Sequence, residues 1–161
     1  MPTFRLTAPN LAWVPTAPVV LTNVVKVNAT PAQLFDRLSD LGSWSDWCVG
    51  MRRVRVDGPA AGVGAVRTVW VGPTRVQERF LEWVPGERLT FALVGSNVPG
   101  LTSMVEDWAM APDPEAPGRS VMTVTIGIEP SGVLRRFPKL LHGLMSKMTK
   151  KGQDGIVTLF P

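Results

Sequence analysis

The chain has 161 residues, of which 45% are hydrophobic and 19% charged; the expectation is one domain with a single core and one site, not two modules. The formal net charge of +4 is unevenly spread. From Ser131 onward six basic residues stand against Asp154, giving +5, so everything before sums to −1.

Residues 1–18, MPTFRLTAPNLAWVPTAP, lack a basic leading region, and Pro9, Pro15 and Pro18 interrupt any apolar run. The expectation is a Pro-rich arm, not a signal peptide or membrane span, on a cytoplasmic protein, with Phe4 and Trp13 packing back on a single domain of residues 19–161. Residues 19–28, VVLTNVVKVN, are rich in β-branched side chains and predict the first strand. A helix start follows: Thr30 suits the N-cap, Pro31 the first helical position, and Gln33 completes a capping box. Leu34, Phe35, Leu38 and Leu41 then recur at helical spacing until Gly42, and residues 43–47 predict a second short helix with Trp44 and Trp47 at i, i+3.

From Val49 the apolar period becomes two, placing strands near 50–57, 63–71, 75–84, 88–94, 102–110 and 120–129. Gly58 to Gly64, Gly72–Pro73, Pro85–Gly86, Gly95 to Gly100 and Pro112 to Gly118 supply the turns. Residues 131–160 predict one long amphipathic helix. Val133, Leu134, Phe137, Leu140, Leu141, Leu144, Met145 and Met148 share a sector opposite Arg135, Arg136, Lys139, Lys147 and Lys150. Pro138 should bend or restart it, and the period fails at Gly152 and Gly155, so its last turns either fray or are buried on more than one side. The order is strand, two short helices, six strands, long helix: an α+β domain whose curved antiparallel sheet of about seven strands wraps the last helix and leaves room for a cavity.

That layout, with NATPAQLFDRLSDLGSWSDW at 28–47, GVGAVRTVWV at 62–71, ERFLEWVPGERLTF at 78–91 and the closing helix, resembles the START-like superfamily. This group takes in Bet v 1-like proteins and the polyketide cyclase/dehydrase and lipid-transport (SRPBCC) family. The resemblance implies a helix-grip fold with a largely apolar pocket between sheet and C-terminal helix. It does not fix the chemistry, because the superfamily includes carriers, cyclases, chaperone-activating domains and proteins labelled toxins. The ending QDGIVTLFP is similar to that of an actinobacterial subgroup carrying the toxin label, which names no mechanism.

Metal and cofactor chemistry have no support: His142 and Cys48 are the only histidine and cysteine, and neither sits in a ligand spacing. His142 falls on the polar arc of the helix, and Cys48 is expected to pack beside Trp47. The glycines of 62–64 precede a strand instead of a helix and read as a turn. Strand alternation places Glu78 with Val76 and Phe80, and Glu106 with Met104, Trp108 and Met110. If those faces are inner, both acids are candidate proton carriers with raised pKa. The alternative puts each at the sheet rim, paired with Arg67, Arg75 or Arg79. Trp70, Phe80, Phe91, Met104, Trp108, Met122, Val124 and Ile126 on strands, with Leu141, Leu144, Met145 and Met148 on the helix, form the expected ligand-binding surface.

The leading expectation is a binding or carrier protein for a small hydrophobic or amphipathic ligand, such as a lipid, quinone or polyketide, with no cofactor. The alternatives are a cyclase/dehydratase using Glu78 or Glu106, or a nucleic-acid or membrane-surface protein using the basic helix. Nucleic acid is the less favoured partner; peripheral membrane contact and a monomer or homodimer stay open.

Overall fold

In the computed structural model, residues 4–161 are described. Thr30 caps helix α1 (Pro31–Ser39) as its sequence demands: its hydroxyl accepts from the Gln33 backbone N–H, and the Gln33 side chain accepts from the Thr30 N–H. Leu34, Phe35 and Leu38 of α1 are buried, and a 3-10 turn at Leu41–Ser43 leads into α2 (Trp44–Trp47). Ser43 does not cap α2; its hydroxyl donates back to the Asp40 carbonyl.

The strands are β1 (Phe4–Arg5), β2 (Val19–Val27), β3 (Met51–Val56), β4 (Val66–Val71), β5 (Thr74–Val84), β6 (Arg88–Ser96), β7 (Leu101–Pro112) and β8 (Ser120–Pro130). They form one antiparallel sheet in the order β2-β8-β7-β6-β5-β4-β3, with β1 added at the end of β6. β4 starts three residues later than expected because Gly64, at φ +86, still belongs to the turn. Pro85–Gly86 makes the tight β5–β6 connection, with Gly86 at φ +72.

Both faces of the sheet are covered at its centre. On the inner face Phe80, Phe91, Met104, Trp108, Met122, Val124, Ile126 and Ile128 meet α1 and α2 in the main core. On the outer face the N-terminal arm makes a 3-10 turn (Leu11–Thr16) that seats Val14 on Ala92 and Val105. Gly127 permits this approach, since a Cβ there would lie 3.0 Å from both the Trp13 ring and the Ala17 side chain.

The predicted helix of residues 131–160 is two pieces: a 3-10 turn (Gly132–Arg136) and α3 (Pro138–Val157). Phe137, the residue before proline, is excluded from the helical region (φ −128°, ψ 55°), and Pro138 restarts the helix as its first residue. The apolar sector does not face the sheet as a unit. Leu141 and Ile156 are buried and Met145 is half-buried, whereas Leu140, Leu144 and Met148 are exposed. The physical reason is competition. α1 and the two tryptophans of α2 already cover the inner face over the middle strands, so α3 is left with the strip along β2. Its last turns do not fray: Gly155 packs on Trp47 at the end of α2 and Gly152 on Cys48 and Val49 just after it, Ile156 is buried, and Gln153 accepts a 2.5 Å hydrogen bond from Asn23 of β2.

Candidate functional site

The most unusual group in the core is Arg67. β4 alternates so that Arg67 and Val69 point inward, and Arg67 is fully buried in a protein whose net charge is carried elsewhere. The register sets it directly opposite Glu78 of β5, and its Nε donates to Glu78 Oε2 at 2.5 Å. A buried guanidinium without such a partner would cost several kcal/mol, on the order of the penalty for any desolvated ion. Its flat face is covered too: the Trp44 ring lies 3.8 Å away, with Phe80 and Phe91 at 5.3 and 5.2 Å. Its edge is not satisfied, because Nη1 and Nη2 have no hydrogen-bond partner among the described residues, nor does the buried Nε1 of Trp47.

An aromatic box holds these donors. Trp44 sits 4.8 Å from Trp47 and 4.9 Å from Trp108, and its own Nε1 is tied to the Leu38 carbonyl at 2.8 Å. Trp108 donates from Nε1 to Glu106 Oε2 at 3.0 Å. Glu106 faces inward between Phe91 and Ile126, and keeps some accessible surface although both strand neighbours are buried. Burial, then the charge of Glu78, raises its pKa to about 7 against the opposing effects of Trp108 and Arg67. Cys48 shares this environment: burial first, then Glu106, pushes its thiol up to about 12 against the opposing effect of Arg67.

Of the two acids, Glu78 is paired with an arginine, as the rim alternative had it, but the pair is in the core and not at the rim. Among the described residues Glu106 forms no ion pair with an arginine. Phe80, Phe91, Met104, Trp108, Met122, Val124 and Ile126 are all buried on the inner face, with Leu141 buried and Met145 half-buried against them. Three expected members are elsewhere. Trp70, of the opposite parity to Arg67, lies on the outer face under the guanidinium groups of Arg53 and Arg55, and lines an open hollow of about 230 Å³ with Thr68, Arg75 and Gln77. Leu144 and Met148 point away from the sheet at 57% and 50% exposure. Sequence reasoning passed over Arg67, Trp44 and Trp47 as site residues. Ala65 and Val69 carried the signal for Arg67, since both share its parity and small apolar residues of one parity mark the inner face.

The space between sheet and α3 is narrower than a wrapped sheet suggests. A hollow of about 40 Å³, lined by Leu21, Asn23, Val124, Ile126, Thr149 and Gln153, lies between β2, β8 and α3. Ligand pockets are usually roughly 300–1,000 Å³. Trp44 and Trp47 of α2 are buried in the main core beside the hollow. Among the described residues no group of acids, histidine and cysteine could hold a metal, and no helix is long and apolar enough to cross a membrane.

The profile of one family, polyketide cyclase/dehydrase and lipid transport, matches residues 18–160. The chain belongs to this family. This family member has relatives in mycobacteria: the uncharacterized protein Mb2604 of Mycobacterium bovis is 28% identical over 127 residues, covering 78% of this chain and 74% of its own. Among solved structures, XoxI from Bacillus cereus superposes with a TM-score of 0.74 at 14% identity, covering 88% of this chain and 95% of that one. A START superfamily protein from Mycobacterium smegmatis gives 0.59 at 11% identity over 83% and 97%. The fold of this family member is therefore the helix-grip fold, with a curved antiparallel sheet and a C-terminal helix.

Proposed function

We propose that the chain binds a small molecule with an apolar body and one hydrogen-bond-accepting end, held between the inner sheet face and α3. The observation that carries this reading is the buried Arg67 edge. Two guanidinium nitrogens and the Trp47 indole N–H are donors without acceptors, set in an aromatic box. Each buried unmet donor costs roughly 1–3 kcal/mol, and a ligand carbonyl or hydroxyl oxygen offsets that cost. Met104, Met122 and Met145 supply adaptable surface for the apolar body. Because the hollow under α3 is small, entry requires the first half of α3 to move while its last turns stay anchored on the segment after α2.

The test is a matched pair of probes, 1-tetralone and tetralin, which share a skeleton and differ by one carbonyl. Native-state binding raises the melting temperature, and the ketone should bind at least about tenfold more tightly, a difference of roughly 1.4 kcal/mol. Equal affinity for the two would remove the polar anchor, and binding of neither would remove the ligand-binding reading. A second reading, proton transfer in a cyclase/dehydratase, is favoured at one residue only: Glu106, with a pKa of about 7, both holds and releases a proton near neutrality. Glu106→Gln should then abolish turnover of a converted substrate while leaving its binding intact.

A further inference from the structure

We infer that the outward face of α3 docks on an anionic lipid bilayer surface. The helix has two apolar stripes. Leu141, Met145, Gly152 and Ile156 form the one against the protein. Centred about 90° away round the wheel lie Leu140, Leu144 and Met148, at 71%, 57% and 50% exposure, with Phe137 at 52% at the junction and Val133 at 70% in the preceding 3-10 turn. Five exposed apolar side chains within residues 133–148 are of the sort that marks an interaction site.

Charge selects the occupant. Arg135, Arg136, Lys139, Lys147, Lys150 and Lys151 are all exposed, and among the described residues none of the six forms an ion pair. On the wheel Lys147 borders the exposed stripe and Lys151 falls within it, with Lys150 about 80° beyond Leu140, so the stems of the first two can lie along the stripe with their ammonium groups at headgroup level. A second copy of the chain would set this +5 segment against another of the same sign. A nucleic acid would take up the charge and leave the leucines in water. An anionic bilayer satisfies both stripe and border, with α3 lying in the interface plane, since it is not apolar enough to span. This surface is independent of the ligand-binding reading, and the ligand-free chain suffices to test it.

The experiment is co-sedimentation of the full chain with vesicles of phosphatidylcholine alone or with ~30 mol% phosphatidylglycerol, at about 0.05 and 0.5 M salt. The expected result is at least tenfold stronger binding to the anionic vesicles at low salt, falling at high salt. Leu140→Glu/Leu144→Glu alters only exposed side chains, so its melting temperature should stay within a few degrees of the parent while vesicle binding drops at least tenfold. Lys147→Glu/Lys150→Glu/Lys151→Glu should erase the preference for anionic lipid. The inference is overturned by absent or lipid-indifferent binding, by unchanged binding of the Leu140→Glu/Leu144→Glu variant, or by salt-sensitive dimerisation or RNA capture in place of vesicle binding.

Discussion

Gly143, Gly152 and Gly155 share one helix and differ in what stands over them, so the same substitution should have three outcomes. Alanine is better than glycine in a helix by roughly 0.8–1 kcal/mol. At Gly143 a Cβ meets nothing within 4 Å, so Gly143→Ala should gain most of that, raising the melting temperature by about 2–4 °C. At Gly152 the Cβ comes 3.3 Å from the Cys48 sulfur, a contact that absorbs the gain and leaves stability within about 0.5 kcal/mol of the parent. At Gly155 it would lie 1.8 Å from the Trp47 carbonyl oxygen and 2.9 Å from its carbon. That neighbour is backbone and cannot rotate away, so α3 must retreat by about 1 Å and loosen the packing of Ile156, an overpacking cost of about 3 kcal/mol. Net of propensity, Gly155→Ala should lose about 2 kcal/mol and 4–8 °C. Urea midpoints and thermal melts of the three variants measure this directly. An unchanged or higher melting temperature for Gly155→Ala would show that the helix is not seated on the segment after α2.

Two further outcomes follow from the buried charges. Glu106 moves from 4.5 to about 7 on folding, so the folded state holds its proton more tightly than the unfolded one; its contribution is full below about pH 4.5, falls as pH rises to 7 and is flat beyond. Glu106→Gln should remove that fall, so that wild type and variant diverge by at most about 3 kcal/mol between pH 4 and 8, and parallel stability curves would refute it. Arg67→Met strands Glu78 as an unpaired buried carboxylate and should cost roughly 3–5 kcal/mol in urea unfolding. The double variant Arg67→Met/Glu78→Met should cost much less, and a double that costs the sum of its singles would show the two groups to be uncoupled.

Local signals were legible wherever one residue type serves one geometric purpose. Thr30, Pro31 and Gln33 announced α1, the two-residue period announced the strands, and Pro138 announced the restart of the last helix. Parity was harder. Trp70 looked like an inner residue because it is large and apolar, yet cations on the outer face accommodate it, and that choice hid Arg67. The wheel of α3 showed which residues share a sector but not how much of that sector finds a partner. That depended on α1, Trp44 and Trp47 reaching the inner face first, a tertiary competition with no local trace. Trp44 and Trp47 themselves were visible as a spaced pair, but nothing near them in sequence foretold an arginine beneath their rings.

The sheet order also bears on how the chain is made. β2 is synthesised before every other long strand, yet its pairing partner is β8, with Val19 opposite Ile128. At ~5–20 residues per second a ribosome needs about 5–20 s to bring that partner into being. Throughout this interval VVLTNVVKV is an apolar, β-prone segment with neither edge paired, relieved by Thr22, Asn23 and Lys26. The hairpins from β4 to β8 close between neighbours and can form as they emerge. Synthesis and assembly therefore run in opposite order at this edge of the sheet: the first long strand made is among the last to be placed.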